Sequence, residues 1–264
     1  YLLQPLEGVQ PVVVDEVTSS EGDVVRRRLE RPAATGLNEL EAIWSAHQYV
    51  TPEAVGEYLN VNVPHRTGET REAWQFPGDT DHWVIHVQGI RTSRTVALRT
   101  AAAAHDAGAT SLVITYRGSG DGPPARTSTL GAREWEELRD SVAYARANGA
   151  KRVTIAAWSM GAALTLEMLR HDPGSVDDLV LICPVSDWPA TIAHGAKQAH
   201  LPVIAAHLAG FLLRTTLGVA LLGLPGKVDV RRLAWTETGS VPVRTLIIHS
   251  QGDEVVPWAS TLAL

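Results

Sequence analysis

The sequence predicts an α/β fold in which a mostly parallel sheet is covered by helices on both faces. From about Trp83 onward, strand-like runs alternate with helix-like runs along the chain. The strand-like runs are apolar at nearly every position, which is typical of strands buried between two layers of helices. A chain of 264 residues, 45% of them apolar, is long enough for one large α/β domain or two small ones.

Five strands are predicted in this part of the chain, at residues 82–88, 111–117, 152–158, 177–185 and 243–250. Helices are predicted between them, at residues 93–108, 131–149 and 160–171. Ser93 suits the start of the first helix as a cap, and Gly108 suits its end, because glycine tolerates a left-handed backbone.

The first 80 residues show a different pattern. Residues 11–29 predict two strands around a turn, and residues 71–79 predict a strand that runs into a Pro-Gly turn. Residues 38–55 fit either period and are left unassigned. No repeat or low-complexity linker separates this region from the rest, so we expect residues 1–80 to form the antiparallel part of the same domain.

The domain division that follows has two parts. Residues 1–186 and 241–264 are predicted to form the α/β core, and residues 187–240 a helical lid. Within the lid, residues 201–225 have the length of a membrane span, which needs about 20 apolar residues. An arginine at the bilayer centre costs roughly 2.5–3.5 kcal/mol, and Arg214 lies in the middle of this segment. We therefore expect one or two short apolar helices, broken at Gly210 or Gly218, and leave membrane association open.

Composition excludes several classes of function. The chain has 29 acidic and 23 basic residues, a net charge of −6, and its bases are not clustered, so no nucleic-acid partner is expected. The single cysteine, Cys183, is expected to be a small buried apolar residue, and no H-E-x-x-H motif or cysteine pair predicts a metal site. No cofactor is expected. A cytoplasmic location is the expectation, although a chain that starts at Tyr1 leaves an upstream signal or anchor open.

Ser159 is the candidate nucleophile. It stands between a predicted strand and a predicted helix, with the small residues Ala157 and Gly161 two positions away on either side. A serine displayed on such a tight turn needs small neighbours, because larger side chains would collide where the backbone doubles back. The pattern by itself is weak, since many ordinary strand-to-helix turns match it.

Two further passages suit the same chemistry. A strand that ends at Gly89 places the amide of Ile90 beside the nucleophile if the two strands are neighbours, and with the Met160 amide it would form an oxyanion hole. The plainer alternative is that Gly89 only ends a strand. Asp253 follows the strand at 243–250 and suits an acid that orients a catalytic imidazole, although Gly252-Asp253 also suits an ordinary turn.

These passages and the strand order resemble the α/β-hydrolase superfamily, most of all its bacterial serine hydrolases with a helical lid after the sixth strand. The resemblance covers roughly residues 70–264 and implies an α/β-hydrolase fold. Ser159 matches the nucleophile, with Ala157 where glycine is more usual. Gln88-Gly89-Ile90 matches the family's His-Gly-x, with Gln88 in place of the histidine. Three further passages resemble parts of the family's sequences: residues 116–122 its Gly-rich loop, residues 183–190 its exit into the lid, and residues 252–257 its acid loop.

The family places its catalytic histidine after the acid, yet residues 254–264 contain none. We therefore expect this histidine to lie beyond Leu264, in a longer protein of which this chain is a fragment. The alternatives within the chain are three lid histidines, His194, His200 and His207. His86 and His249 are expected to be packed in the sheet. Asp187 is the alternative acid.

The resemblance implies a serine hydrolase that cleaves a carboxylic ester or thioester through an acyl-enzyme at Ser159. A lid rich in Leu, Ala and Val suggests a small-molecule substrate with an apolar group. A peptidase or acyltransferase on the same scaffold is one alternative. A non-catalytic module that binds a ligand or partner under the lid is another, and the absent histidine favours it. The oligomeric state is left open.

Overall fold

Eleven strands lie in the described part of the chain, and seven of them form the central sheet. The computed structural model describes residues 2–5, 12–22, 24–29, 42–45, 49–123, 128–235 and 241–264. The strands are β1 (Leu2–Pro5), β2 (Val12–Glu21), β3 (Val24–Leu29), β4 (Ala42–Ser45), β5 (Leu59–Pro64), β6 (Thr70–Phe76), β7 (His82–Val87), β8 (Thr110–Ile114), β9 (Arg152–Trp158), β10 (Asp178–Ile182) and β11 (Arg244–Ile248).

The central sheet has the strand order β11-β10-β9-β7-β8-β6-β5. The five strands β7 to β11 are parallel to one another. At one edge, β6 pairs antiparallel to β8, and β5 pairs antiparallel to β6. All five residues of β8 and the last five of β7 are buried, which accounts for their nearly continuous apolar sequence. The predicted mostly parallel sheet is confirmed.

Helices cover both faces of this sheet, as predicted. They are α1 (Leu98–Asp106), α2 (Glu134–Ala147), α3 (Met160–His171), α4 (Trp188–Gln198), α5 (Val203–Leu213), α6 (Thr216–Leu222) and α7 (Trp258–Leu262). Val84 and Ala156 pack with Ala104 of α1 on one face. Their sequence neighbours Ile85 and Ile155 belong to the main core on the other face, together with residues of α2 and α3.

The helix predicted at 93–108 is wrong in its first turn. Residues Arg94–Ala97 form a 3₁₀ turn, and Ser93 makes no cap, because its hydroxyl lies 2.5 Å from that of Thr95. The predicted end is confirmed, since Gly108 has a left-handed φ of 74°.

The N-terminal strands β1–β4 pair in an antiparallel sheet of their own, in the order β3-β2-β1-β4. Only β5 and β6 bring the first 80 residues into the central sheet. The antiparallel pairing expected of residues 1–80 is present in β1–β4, and the membership of these strands in the same domain stays a prediction. Part of the unassigned region, residues 38–41 and 46–48, lies outside the described residues.

Residues 187–235 form a helical insertion that holds α4, α5, α6 and a 3₁₀ turn at Val230–Leu233. Residues 236–240 of the predicted lid lie outside the described residues. The predicted break at Gly210 or Gly218 is wrong, because α5 ends before Arg214 and the Thr215 hydroxyl accepts a 3.0 Å hydrogen bond from the Gly218 amide to start α6. No single helix in the described ranges is long and apolar enough to cross a membrane; α5 and α6 reach that length only together, across a 99° bend.

Candidate active site

Ser159 lies at the turn between β9 and α3 with a strained backbone. Its φ of 50° and ψ of −115° are rare for any residue with a side chain, and such a conformation costs on the order of 1–3 kcal/mol. Neighbouring strands hold it: the Ser159 amide donates to the Ile182 carbonyl at 2.9 Å, and the Ser159 carbonyl accepts from the Val185 amide at 3.1 Å. The side chain is half-buried at the carboxyl end of the parallel strands.

The two small residues on either side of Ser159, Ala157 and Gly161, lie in different surroundings. A Cβ on Gly161 would lie 2.5 Å from the Val87 carbonyl oxygen and 2.8 Å from that of Gln88, so only glycine fits between α3 and the end of β7. Ala157 is fully buried in the sheet. A Cβ on Gly89 would lie 3.3 Å from Cβ of Ser159, which shows how closely the loop after β7 passes the serine.

The loop after β7 carries Ile90, the predicted first oxyanion donor. Ile90 is half-buried, and Met160, the predicted second donor, is the first residue of α3 and fully buried. Within the described ranges, neither of these two backbone amides donates a hydrogen bond to another protein group. The helix dipole of α3 adds positive potential at its first amide. Two amides without an acceptor beside one serine suit the stabilisation of a developing oxyanion.

Tyr116 fixes this loop, a contact that the sequence reasoning missed. Its hydroxyl donates to the carbonyl oxygens of Gln88 at 2.7 Å and Gly89 at 2.9 Å. Burial, followed by the charges of Glu134, Asp121 and Glu137, raises the pKa of Tyr116 well above its ordinary value, so the hydroxyl stays a donor. Tyr116 lies in the Gly-rich passage at 116–122, but no pattern in that passage reveals where its side chain points.

Asp253, the predicted acid, lies in the loop after β11. Its Oδ1 accepts hydrogen bonds from the backbone amides of Val255 at 2.8 Å and Val256 at 2.9 Å. Burial raises the pKa of this carboxyl, but the hydrogen bonds from Val256, Val255 and Cys183 and the nearby His249 outweigh burial, and the pKa lies below its ordinary value. Asp253 is therefore an ionised, oriented carboxylate near neutral pH.

His249 and Cys183, which the sequence reasoning did not link to Asp253, contact its carboxylate. Oδ2 of Asp253 lies 3.2 Å from Nε2 of His249. Cys183 is half-buried rather than a buried apolar residue, and burial followed by its contact with Asp253 raises the pKa of its thiol. Potential metal-ligating atoms of Cys183, His249 and Asp253 all lie within 4.8 Å of one another, close enough to share a metal ion. That group shares its carboxylate with the candidate acid.

Asp187, the alternative acid, begins α4. Its Oδ1 accepts a 2.9 Å hydrogen bond from the Ala190 amide, as the N-cap of the helix. This local task accounts for an aspartate at the position without any catalytic role.

No histidine in the described ranges forms a hydrogen bond with the Ser159 side chain. His86 is buried against the hydroxyls of Thr100 and Ser111, and burial lowers its pKa to about 3. His249 has a fully buried side chain with both ring nitrogens engaged, by Thr261 and by Asp253. Both were expected to be packed rather than catalytic, and their contacts agree with that expectation.

The three histidines of the insertion line two cavities. His194 and His200 lie in a cleft of about 860 Å³ between α4, α5 and α7, which also contains Pro257 and Ser260. His207 lies in a smaller cavity of about 160 Å³ between α4, α5 and the turn at Val230–Leu233. Ser159 lines neither cavity. The alternative that one of these histidines serves as the base therefore requires a movement of the insertion.

The sequence model of the alpha/beta hydrolase family matches residues 67–263, and this match shows which family the chain belongs to. The chain belongs to this family. The predicted resemblance to the α/β-hydrolase superfamily and the predicted fold with a mostly parallel sheet are thereby confirmed, whereas the lid and the likeness to bacterial serine hydrolases stay predictions. No curated protein matches the sequence.

Solved structures of α/β hydrolases resemble this chain in fold. The esterase Pf2001 of Pyrococcus furiosus is 20% identical, with a TM-score of 0.61 over 81% of this chain and 79% of its own. The esterase EaEST of Exiguobacterium antarcticum is 14% identical, with a TM-score of 0.54 over 77% of this chain and 85% of its own. An α/β serine hydrolase without a lid from Xanthomonas campestris is 16% identical, with a TM-score of 0.51 over 78% of this chain and 77% of its own. The family supports a hydrolase, and these neighbours show the same fold.

Proposed function

We propose that this α/β hydrolase cleaves a carboxylic ester or thioester through an acyl-enzyme formed on Ser159. The observation that carries the proposal is the strained backbone of Ser159 between Gly161 and Gly89, beside two amides that donate to no group in the described part of the chain. Strain of this kind persists only where the surroundings hold it, and it is concentrated at functional sites.

In the proposed reaction the Ser159 hydroxyl attacks the substrate carbonyl and gives its proton to an imidazole. The amides of Ile90 and Met160 stabilise the oxyanion, and Asp253 orients the imidazole and stabilises its charged form. The imidazole then protonates the departing alcohol or thiol as the bond to the acyl carbon breaks. Water, deprotonated by the same imidazole, attacks the acyl carbon; the bond to the Ser159 oxygen breaks, this oxygen takes the proton back from the imidazolium, and the acid leaves.

The imidazole has two candidate sources, the insertion histidines, above all His194 and His200, and a histidine outside these 264 residues. The insertion is rich in Leu, Ala and Val, which supports an apolar acyl or alcohol group and a lid role for the insertion.

The test is reaction with a fluorophosphonate, followed by intact mass and peptide mapping. The 264-residue chain and a C-terminally extended chain are compared, each with its Ser159→Ala variant as the control. Labelling of the shorter chain at Ser159 that is lost in His194→Ala or His200→Ala identifies a base in the insertion. Labelling of the extended chain alone places the base outside residues 1–264.

A second candidate function is a non-catalytic module that binds a ligand or partner. It is favoured by the observation that Ser159 has no histidine partner among the residues that the structure describes. Failure of both chains to react at Ser159, with both correctly folded, would contradict the hydrolase proposal and leave this second function. Labelling at Ser159 would exclude it.

A further inference from the structure

The helical insertion presents an apolar surface that the rest of the described chain leaves uncovered. None of the eleven residues of α5 is buried, although all except His207 and Gly210 are apolar. Ile204, Leu208 and Phe211 are 73%, 55% and 62% exposed and, at spacings of four and three, share one face of α5. Leu217 and Leu221 of α6 are 69% and 72% exposed, again four residues apart. We call these five side chains the apolar face.

Helices that are apolar all round are normally buried in a core or in a membrane. Five large apolar side chains exposed on two neighbouring helices indicate an interaction surface, since monomeric proteins rarely leave a large apolar patch uncovered. The geometry excludes a simple span: α5 is about 16 Å long at 1.5 Å per residue, about half of the 30 Å hydrocarbon layer, and the chain bends by 99° before α6. Such a pair is suited to lie in an interface rather than to cross it.

The charge distribution indicates what covers this face. Residues 188–228 contain no aspartate or glutamate, although the chain as a whole has a net charge of −6. The same segment contains Lys197, Arg214 and Lys227. The Arg214 guanidinium lies 3.5 Å from the Asp229 carboxylate, which partly neutralises it, so the two exposed lysines dominate the local charge. An apolar face on a segment that contains three bases and no acids is complementary to anionic lipid headgroups.

We propose that the apolar face docks onto an anionic phospholipid surface. The side chains of α5 and α6 enter the boundary between headgroups and acyl chains, and Lys197 and Lys227 lie near the phosphates. A second copy of the chain is the less suitable occupant, because a two-fold dimer through this face brings the same lysines of both copies together. The docking does not depend on chemistry at Ser159.

The experiment is co-sedimentation of the 264-residue chain with vesicles of phosphatidylcholine alone, or with roughly 30% phosphatidylglycerol added. The wild type is expected to bind the anionic vesicles and to bind the neutral ones weakly. The double variant Ile204→Ser/Phe211→Ser is expected to bind at least about tenfold more weakly, because two apolar side chains no longer enter the interface. Lys197→Gln and Lys227→Gln are each expected to weaken binding about fivefold, at about 1 kcal/mol per base.

Leu59→Ser is the matched control, since Leu59 is 54% exposed on the edge strand β5 and carries the same kind of apolar surface. This variant is expected to bind like the wild type, and circular dichroism checks the fold of every variant. Ser159→Ala is also expected to bind unchanged, so failure of the hydrolase proposal and failure of docking are separately visible. Equal binding of wild type and the double variant, or no binding to anionic vesicles, overturns the proposal. A dimer that the double variant abolishes, without vesicle binding, assigns the face to a second copy instead.

Discussion

Oδ2 of Asp253 lies 3.2 Å from Nε2 of His249, whose side chain is completely buried. The other ring nitrogen of His249 lies 2.6 Å from the Thr261 hydroxyl, so the imidazole is held on both sides. The amides of Val255 and Val256 hold Oδ1. The carboxylate of the proposed acid is therefore fixed by its own loop and by α7, independently of a catalytic imidazole.

Replacing Asp253 by asparagine is expected to lower the free energy of unfolding at pH 7. Burial raises the pKa of the carboxyl, but its hydrogen bonds outweigh burial, so the folded-state pKa lies below the ordinary value of 3.8. A carboxyl with a lowered pKa stabilises the fold above its unfolded-state pKa and loses this effect as the pH falls through its folded-state pKa. The difference between wild type and Asp253→Asn is thus expected to shrink below about pH 4. Urea unfolding at a series of pH values measures it.

Glu254→Gln is the matched control, because Glu254 is the exposed neighbour in the same loop. It is expected to leave stability within about 0.5 kcal/mol of wild type. A difference for Asp253→Asn that stays constant from pH 7 to pH 3 would mean that ionisation of this carboxyl does not stabilise the fold.

Gly161→Ala is expected to destabilise the protein severely. The added Cβ would lie 2.5 Å and 2.8 Å from the carbonyl oxygens of Val87 and Gln88, which are backbone atoms of a buried strand and its end. Relief requires α3 to move away from β7, and we expect a loss of about 3 kcal/mol or more, as in overpacked cores. Thermal and urea unfolding measure this effect.

The control for this substitution is Gly195→Ala, inside α4, where a Cβ meets no atom within 4 Å. There alanine is expected to stabilise the helix by about 0.5–1 kcal/mol. Similar effects of the two substitutions would show that close packing at the Ser159 turn is not what requires glycine.

Tyr116→Phe tests how the proposed oxyanion loop is held. Without the hydroxyl, the buried carbonyls of Gln88 and Gly89 lose their 2.7 Å and 2.9 Å hydrogen bonds. We expect a loss of about 1–3 kcal/mol in stability. In a chain that reacts with a fluorophosphonate, we also expect slower labelling of Ser159, because the Ile90 amide becomes less well placed. Labelling reactions stopped at a series of times measure the rate at Ser159, and urea unfolding measures the stability.

Tyr144→Phe is the matched control, since the Tyr144 hydroxyl makes a longer 3.3 Å hydrogen bond to the Gln75 side chain, away from the serine. It is expected to cost less stability and to leave labelling unchanged. If Tyr116→Phe slows labelling no more than Tyr144→Phe does, Tyr116 has only a structural role.

The central elements were predictable because their signals are local. The strand at 152–158 and the helix at 160–171 match the structure at both ends, since a continuous apolar run and two small residues around Ser159 define them. The N-terminal strands show why pairing is harder to predict: alternation identifies β2 and β3, but it contains no information on which sheet they join.

The candidate site was predictable in its chain order and not in its contacts. Ser159, Ile90 and Asp253 each follow a strand, and parallel strands bring such residues to one edge of a sheet. The neighbours of Asp253 depend on tertiary structure instead, because Cys183 reaches it from the adjacent strand end and Thr261 holds His249 from α7. No spacing rule in the sequence links these residues.

His86 is expected to make stability depend on pH in the mildly acidic range. Its ring nitrogens lie 2.9 Å and 3.1 Å from the hydroxyls of Thr100 and Ser111, and burial lowers its pKa from 6.5 to about 3. Between these values the unfolded chain binds a proton that the folded protein does not, so stability falls as the pH decreases below 6.5, by up to about 1.4 kcal/mol per pH unit. His86→Gln does not titrate and is expected to show a shallower fall of stability between pH 6.5 and pH 4.

His82→Gln, on the same strand, is the comparison. Desolvation lowers the pKa of the half-buried His82 less, so the dependence of stability on pH is expected to change less in this variant. Urea unfolding that shows the wild-type slope in His86→Gln would mean that the buried imidazole is not the group that titrates.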